Sequence, residues 1–105
     1  MTYLAARCFS ERDEVFDPIH LFEFTDWVNV VAPTADSRVL LVDEYRHCVG
    51  EVVRGSPSGV METDETDPAT AAARELMQET AHRAEQILPV AENFTKSARQ
   101  SNRVW

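Results

Sequence analysis

The stretch that begins at Asp67 constrains the fold most, because it carries a full set of helix signals. Asp67 offers a carboxylate at the N-cap position, and Pro68 at the first helical position needs no backbone N–H. Small and apolar residues then recur at the three- and four-residue spacing of one buried helical face. These residues are Ala69, Ala72, Ala73, Leu76, Met77 and Thr80. The pattern predicts one helix that packs closely against a sheet.

The segments on either side of this helix have the composition of strands. β-branched and aromatic residues are frequent before it, and the apolar run of residues 39–42 is typical of a strand covered on both faces. We expect a hairpin that pairs residues 27–32 with residues 39–45. Three further segments favour strands, namely residues 2–9, 48–55 and 84–94. Residues 56–67 favour a loop. Strand, loop, helix and strand in this order predict a single α/β (α+β) domain over residues 1–105.

Charge and composition exclude several classes of protein. Eighteen acidic residues against ten basic ones give a net charge of −8, which repels nucleic-acid backbones and anionic membranes. No apolar stretch approaches the roughly 20 residues of a membrane span, and the N-terminus lacks the pattern of a signal peptide. Cys8 and Cys48 follow no metal-binding spacing. We therefore expect a cytoplasmic protein with reduced cysteines that binds neither nucleic acid nor membranes.

One face of the predicted helix carries polar side chains that admit two interpretations. Successive residues of a helix are about 100° apart, so one stripe lies opposite the apolar one. It comprises Glu75, Gln78, Glu79 and His82. Two carboxylates one turn apart can hold a hard divalent cation such as Mg²⁺, but the solvated face of an ordinary surface helix has the same composition and is commoner. The stripe alone leaves both interpretations open.

The loop before the helix extends this stripe into a longer motif. Gly59 is followed by five residues and Glu65, then by eight residues and the pair Arg74-Glu75. This string, residues 59–82 and hereafter the box, resembles the Nudix box, G-x5-E-x7-R-E-U-x-E-E-x-G-U, in which U is a bulky aliphatic residue. The flanking segments, from about Trp27 to the C-terminus, look like those of the ADP-ribose and nucleoside-diphosphate-sugar pyrophosphatase branch.

The resemblance implies a fold and a chemistry. The fold would be a mixed sheet with the box helix packed on it. The reaction would be hydrolysis of a nucleoside diphosphate linked to another group, by water attack on phosphorus with Mg²⁺ or Mn²⁺. On this chain Glu75 and Glu79 would be metal ligands, and the amide oxygen of Gln78 would be a further donor.

The same resemblance implies roles for four residues around the metal ligands. Glu65 would pair with Arg74 and hold the loop and helix in shape. Gly59 would permit the close backbone turn that opens the box. Arg46 would lie near the diphosphate of the substrate.

The chain departs from the family pattern at four places. Gln78 replaces an acid, which removes a negative charge from the metal site, and Ala81 replaces a glycine at the end of the helix. An alanine in a left-handed conformation there costs about 1 kcal/mol. The segment between Glu65 and Arg74 is one residue longer, and Gly55 stands where the branch often has a glutamate. A catalytically impaired domain that binds a nucleotide, or serves as an interaction module, is therefore the alternative function.

The chain stops at Trp105, near the start of the strand that would follow the box in this family. Nudix domains usually continue with further strands and a second helix, so we expect the C-terminal part of the sandwich to be missing. An uncovered sheet face is unfavourable in water, which predicts a homodimer or a swapped oligomer. A truncated fragment that persists by oligomerising is the plainer alternative.

Overall fold

The predicted helix forms in the computed structural model, which describes residues 2–6, 19–95 and 102–105, with side chains from residue 24 onward. Helix α1 spans Pro68–Thr80, and the N-cap Asp67 accepts a hydrogen bond from the Ala69 N–H at 3.1 Å. In the described residues the helix is accompanied by eight strands. They are β1 Thr2–Ala6, β2 Ile19–Glu23, β3 Trp27–Asn29, β4 Val42–Arg46, β5 Glu51–Gly55, β6 Ser58–Val60, β7 Asn93–Phe94 and β8 Arg103–Val104. Mixed sheets with one helix make this a small α+β fold, as the sequence predicts.

Helix α1 lies on a four-stranded mixed sheet with the strand order β6-β3-β8-β7. β3 pairs antiparallel with β6, so that Val28 lies opposite Gly59, and it pairs parallel with β8. β8 in turn pairs antiparallel with β7. Because α1 contacts β3 and β6, the core of the described part lies between the helix and these two strands.

The core is built mainly from small side chains. Val28 is 1% exposed, and Ala71 and Ala72 are also buried. Alanine at the contact lets the helix axis approach the sheet closely, as the small residues of the sequence predict. Ile87 and Trp105 are half-buried and pack against the same cluster.

The buried face of the helix is rotated from the predicted one. Ala73, predicted to be buried, is exposed. Glu75, predicted to lie on the polar stripe, is buried together with Ala71 and Ala72. The physical reason is local: the helix places the Glu75 side chain over the backbone of β6 at Gly59, where no side chain occupies the space.

The prediction of a hairpin that pairs residues 27–32 with residues 39–45 is wrong except next to the turn, where the two segments do meet. The Leu40 N–H donates to the Ala32 carbonyl at 3.0 Å, and Pro33 forms an isolated bridge with Val39. β4 pairs instead with β5. A tight turn closes that pair, because the Gly50 N–H donates to the Arg46 carbonyl at 2.8 Å and Gly50 has a φ of 75°.

We call residues 42–55 the exposed hairpin, because both of its faces meet solvent. Val52 is 63% exposed, and Tyr45 and Val53 are also exposed. A two-stranded hairpin whose faces are both in contact with water is only marginally stable. The expectation that the apolar run before it is covered on both faces is also wrong, since Val39 and Leu41 are half exposed.

Two other expectations are corrected in part. The segment of residues 56–67, predicted as a loop, contains the short strand β6. The segment of residues 84–94, predicted as a strand, is regular only at Asn93–Phe94. The strand predicted over residues 2–9 forms as Thr2–Ala6, and its last three residues lie outside the described part.

Within the described residues, no helix has the length and apolarity needed to cross a membrane.

Candidate active site

Arg74 is the centre of the box, because each of its five N–H donors has an acceptor. Its Nε donates to Glu65 Oε1 at 2.8 Å, and its Nη2 donates to Glu65 Oε2 and to the Val60 carbonyl, both at 2.9 Å. Its Nη1 donates to Glu75 Oε1 at 2.5 Å and to Gln78 Oε1 at 3.3 Å. One guanidinium therefore joins the loop, strand β6 and the helix, and all of its N–H donors are engaged in these contacts.

Glu65 is paired with Arg74 in the way that the resemblance implies. The Glu62 backbone N–H also donates to Glu65 Oε2, at 2.8 Å. The hydrogen bonds from Arg74, followed by that from Glu62, lower the pKa of Glu65 from 4.5 to about 2. The same contacts with Glu65 raise the pKa of Arg74.

The extra residue between Glu65 and Arg74 does not prevent this pairing. A turn in which the Glu65 N–H donates to the Glu62 carbonyl at 3.0 Å brings the carboxylate back toward the helix. The N-cap at Asp67 then starts the helix at a fixed place. The added length is therefore taken up before Arg74, and the two side chains still meet.

Glu75 lies directly against the backbone of Gly59. A Cβ at position 59 would overlap the carboxylate carbon and both oxygens of Glu75, well inside the 3.0 Å that real Cβ contacts keep. Gly59 lies in the extended strand β6 rather than in a turn, and its φ is not in the left-handed region. The close approach of a carboxylate therefore explains this glycine, and a backbone turn does not.

Glu79 reaches the neighbouring residue of the same strand. Its Oε2 accepts a hydrogen bond from the Ser58 backbone N–H at 3.0 Å, and the rest of the side chain is exposed. Glu75 and Glu79 therefore meet consecutive residues of β6, although they lie one helical turn apart. This contact was not foreseen from the sequence, because its donor is a backbone group that only the strand position reveals.

The two carboxylates fit a hard divalent cation. Mg²⁺ prefers oxygen ligands and is typically bound by one or two carboxylates together with water and substrate phosphates. Among the residues that the structure describes, no group of three or more His, Cys, Asp or Glu side chains is arranged for a metal. Glu75 and Glu79 supply carboxylate oxygens of the kind that this cation takes, and their role as metal ligands stays a prediction.

Two predicted site residues are placed differently. The Gln78 amide oxygen is directed at Arg74, and its role as a metal donor stays a prediction. Arg46 lies at the end of β4 in the exposed hairpin, where its Nη2 forms an ion pair with Glu44 at 2.9 Å. In the described part of the chain no contact joins Arg46 to the box, so its role at the diphosphate also stays a prediction.

The helix ends where the sequence predicts that it ends. Ala81 has a φ of 57° and a ψ of 22°, and its N–H donates to the Met77 carbonyl at 2.9 Å. The expected left-handed position is thus occupied by alanine. His82 is held by Thr80, whose carbonyl oxygen lies 2.7 Å from His82 Nδ1.

The chain matches the model of a known protein family. The family model of the NUDIX domain matches residues 24–104, which include the whole box and the sheet on which its helix packs. No curated protein matches the chain. The match covers more than half of the sequence, and it includes Glu65, Arg74, Glu75 and Glu79, which the fold brings together. The chain belongs to the NUDIX family.

Proposed function

We propose that this chain is a NUDIX-type hydrolase that cleaves a nucleoside diphosphate linked to another group, of the ADP-ribose or nucleotide-sugar class. The observation that carries the proposal is the placement of Glu75 and Glu79 against consecutive residues of β6. The resemblance of the flanking segments to the ADP-ribose branch supports the substrate class. The net charge of −8 supports the use of a divalent cation, because an acidic chain needs a cation to bind a diphosphate.

In this proposal Glu75 and Glu79 hold Mg²⁺ or Mn²⁺. The bound cation supplies positive charge to the phosphate oxygens and lowers the pKa of a water molecule. Arg74 fixes one oxygen of Glu75, and the Ser58 N–H fixes one oxygen of Glu79, so both carboxylates are oriented before anything binds. Glu65 holds Arg74 in place, since it accepts two of its hydrogen bonds.

Arg46 is proposed to contact the diphosphate. Its side chain is 52% exposed, and among the described residues its ion pair is with Glu44 of the same strand, so a more negative ligand can compete for it. We further propose a cytoplasmic homodimer or swapped oligomer. The exposed apolar side chains of the exposed hairpin, such as Tyr45 and Val52, support this part of the proposal.

The direct test is release of AMP or phosphate from a panel of nucleoside diphosphate compounds with Mg²⁺. We expect Glu75→Gln and Glu79→Gln to abolish release, because each removes one charge from a two-carboxylate site. Glu85→Gln is the matched control, since Glu85 is exposed and lies beyond the helix. Equal release by Glu79→Gln and the original chain would refute the assignment of these residues.

One observation favours a second candidate, a catalytically impaired domain that binds a nucleotide. Arg74 Nη1 already donates hydrogen bonds to Glu75 Oε1 and to the Gln78 amide oxygen. Little negative charge is therefore left at these oxygens for a cation. Thermal stabilisation by ADP-ribose without release of any product would favour this candidate. Gln78→Glu separates the two, because restoring the acid should raise Mg²⁺ affinity and activity if the site works.

A further inference from the structure

The three glycines of the chain differ in what fills the space of their absent side chains. At Gly55 a Cβ would meet nothing within 4 Å, and the same holds at Gly50, whose φ of 75° explains the glycine instead. At Gly59 the Cβ position is taken by the Glu75 carboxylate. The missing side chain of Gly59 therefore leaves room for the carboxylate of Glu75.

The strand cannot easily move away from Glu75. Val28, which pairs with Gly59, is buried in the core. Both flanks of β6 are also tied to the chain around β3. The Val30 N–H donates to the Pro57 carbonyl, and the Met61 N–H donates to the Asp26 carbonyl, both at 2.8 Å. A side chain at position 59 would therefore displace Glu75 rather than β6.

Glu75 is also held by Arg74, whose Nη1 lies 2.5 Å from Oε1. The carboxylate thus contacts both a guanidinium and the strand backbone at Gly59. Such a position leaves little freedom to swing, which favours one orientation of its oxygens before a cation binds.

We propose that Gly59 is a positioning residue for Glu75: its missing side chain makes the space in which this carboxylate is held ready for a divalent cation. The inference rests on the proposed function, since it takes Glu75 as a metal ligand. It differs from the role expected for Gly59 from the sequence, which was a backbone turn.

The first test needs neither metal nor substrate. The stability of Gly59→Ala, Glu75→Ala and the double variant is measured by urea unfolding, with Gly55→Ala as the matched control. We expect Gly59→Ala to lower the unfolding midpoint only when Glu75 is present, and Gly55→Ala to leave it unchanged or raise it slightly. An equal loss in both backgrounds would overturn the inference, because the clash would then lie with another group.

The second test measures Mn²⁺ affinity from the electron paramagnetic resonance signal of the free ion. We expect Gly59→Ala to weaken binding by about 10- to 100-fold, the usual effect of disturbing a residue that orients a ligand, and Gly55→Ala to have no effect. If Gly59→Ala does not fold, Gly59→Ala with Glu75→Asp takes its place. We expect the shorter acid to leave more room for the new methyl group, so this variant should fold and regain part of the affinity.

The outcomes separate this inference from the proposed function. Wild-type binding of Mn²⁺ together with equal binding by Gly59→Ala would overturn the positioning role and leave the proposed function standing. A wild-type chain that binds no Mn²⁺ would refute both. Weaker Mn²⁺ binding by Gly59→Ala, together with a stability loss that depends on Glu75, would support the inference.

Discussion

Two arginine–carboxylate pairs of the same geometry lie in two different regions of this chain. In the box, Arg74 donates to both oxygens of Glu65 at 2.8 and 2.9 Å. In the exposed hairpin, Arg54 donates to both oxygens of Asp43 at 2.6 and 2.7 Å. Their surroundings differ, since the side chains are 21% and 9% exposed in the first pair and 68% and 48% exposed in the second.

The difference teaches that bond geometry does not decide what an ion pair contributes. Water and salt screen an exposed pair, and its net effect on stability is small. Arg74, in contrast, also binds the Val60 carbonyl, Glu75 and Gln78, so it connects three separate elements. The hydrogen bonds of Arg74 therefore hold the parts of the box together, whereas the exposed hairpin is supported by its own two strands.

The largest expected effect follows from removing each arginine. Arg74→Met should lower the urea unfolding midpoint strongly, because it leaves Glu65 and Glu75 close together without a cation. Arg54→Met, the matched control, should leave the midpoint nearly unchanged, and its small effect should vanish at high salt. Trp27 and Trp105 provide the fluorescence signal. Similar losses for the two variants would remove the distinction between the regions.

Acid should weaken the box in a defined window. The pKa of Glu65 is lowered from 4.5 to about 2 in the folded chain, so its ion pair stabilises the fold at a pH above 4.5. This contribution is lost as the pH falls from 4.5 toward 2. Glu65→Gln should be less stable at neutral pH and should show a flatter pH dependence of the melting temperature in this window. A variant that keeps the wild-type slope would mean that another carboxylate causes the loss.

A moderate gain is expected at the end of the helix. Ala81→Gly should raise the free energy of unfolding by about 1 kcal/mol, because the left-handed conformation is unfavourable for alanine. Ala73→Gly, on the exposed face in the middle of the helix, should lower it by about 1 kcal/mol. Urea unfolding measures both. A loss at position 81 would mean that the helix end does not adopt this conformation in solution.

The smallest effect is expected in the exposed hairpin. Val52→Ser should change the free energy of unfolding by about 0.5 kcal/mol or less, because the side chain is largely in water. Val28→Ser, in the core, is the contrasting substitution. Unfolding is measured at two protein concentrations, together with sedimentation. A large loss for Val52→Ser that depends on concentration would show that a second copy covers the hairpin, and it would support the proposed homodimer.

Part of the site was predictable because its signals are close together in sequence. Glu65, Arg74, Glu75 and Glu79 follow from the motif, and the structure brings Glu65 and Arg74 into contact and sets both remaining glutamates against one strand. The role of Gly59 was not predictable, because a glycine in a sequence does not tell whether its backbone dihedral or its missing side chain matters. The Ser58 N–H and the Val60 carbonyl were missed because every residue has such groups.

The strand pairing shows the same limit. The composition of residues 39–45 indicates a strand but names no partner, and the tight turn at Gly50 leads β4 to pair with β5 rather than with β3. The strand β6 has only three residues, so it gives no alternating pattern that a sequence could reveal. Register depends on contacts between residues far apart in the chain, which local propensity does not contain.

The sequence by itself determined the helix and both of its ends, because caps and helical spacing act within one or two turns. Its motif, residues 59–82, carried the resemblance to the NUDIX family, and the family model matches residues 24–104. Only the tertiary structure decided that Glu75 is buried against Gly59 and that Arg74 is fully bonded. Those facts depend on how the helix is rotated over β6, and that rotation is set by close packing between two elements. The physical reason is one of range: hydrogen bonds within a helix are local, whereas the space left by a missing side chain is filled by a residue from elsewhere in the chain.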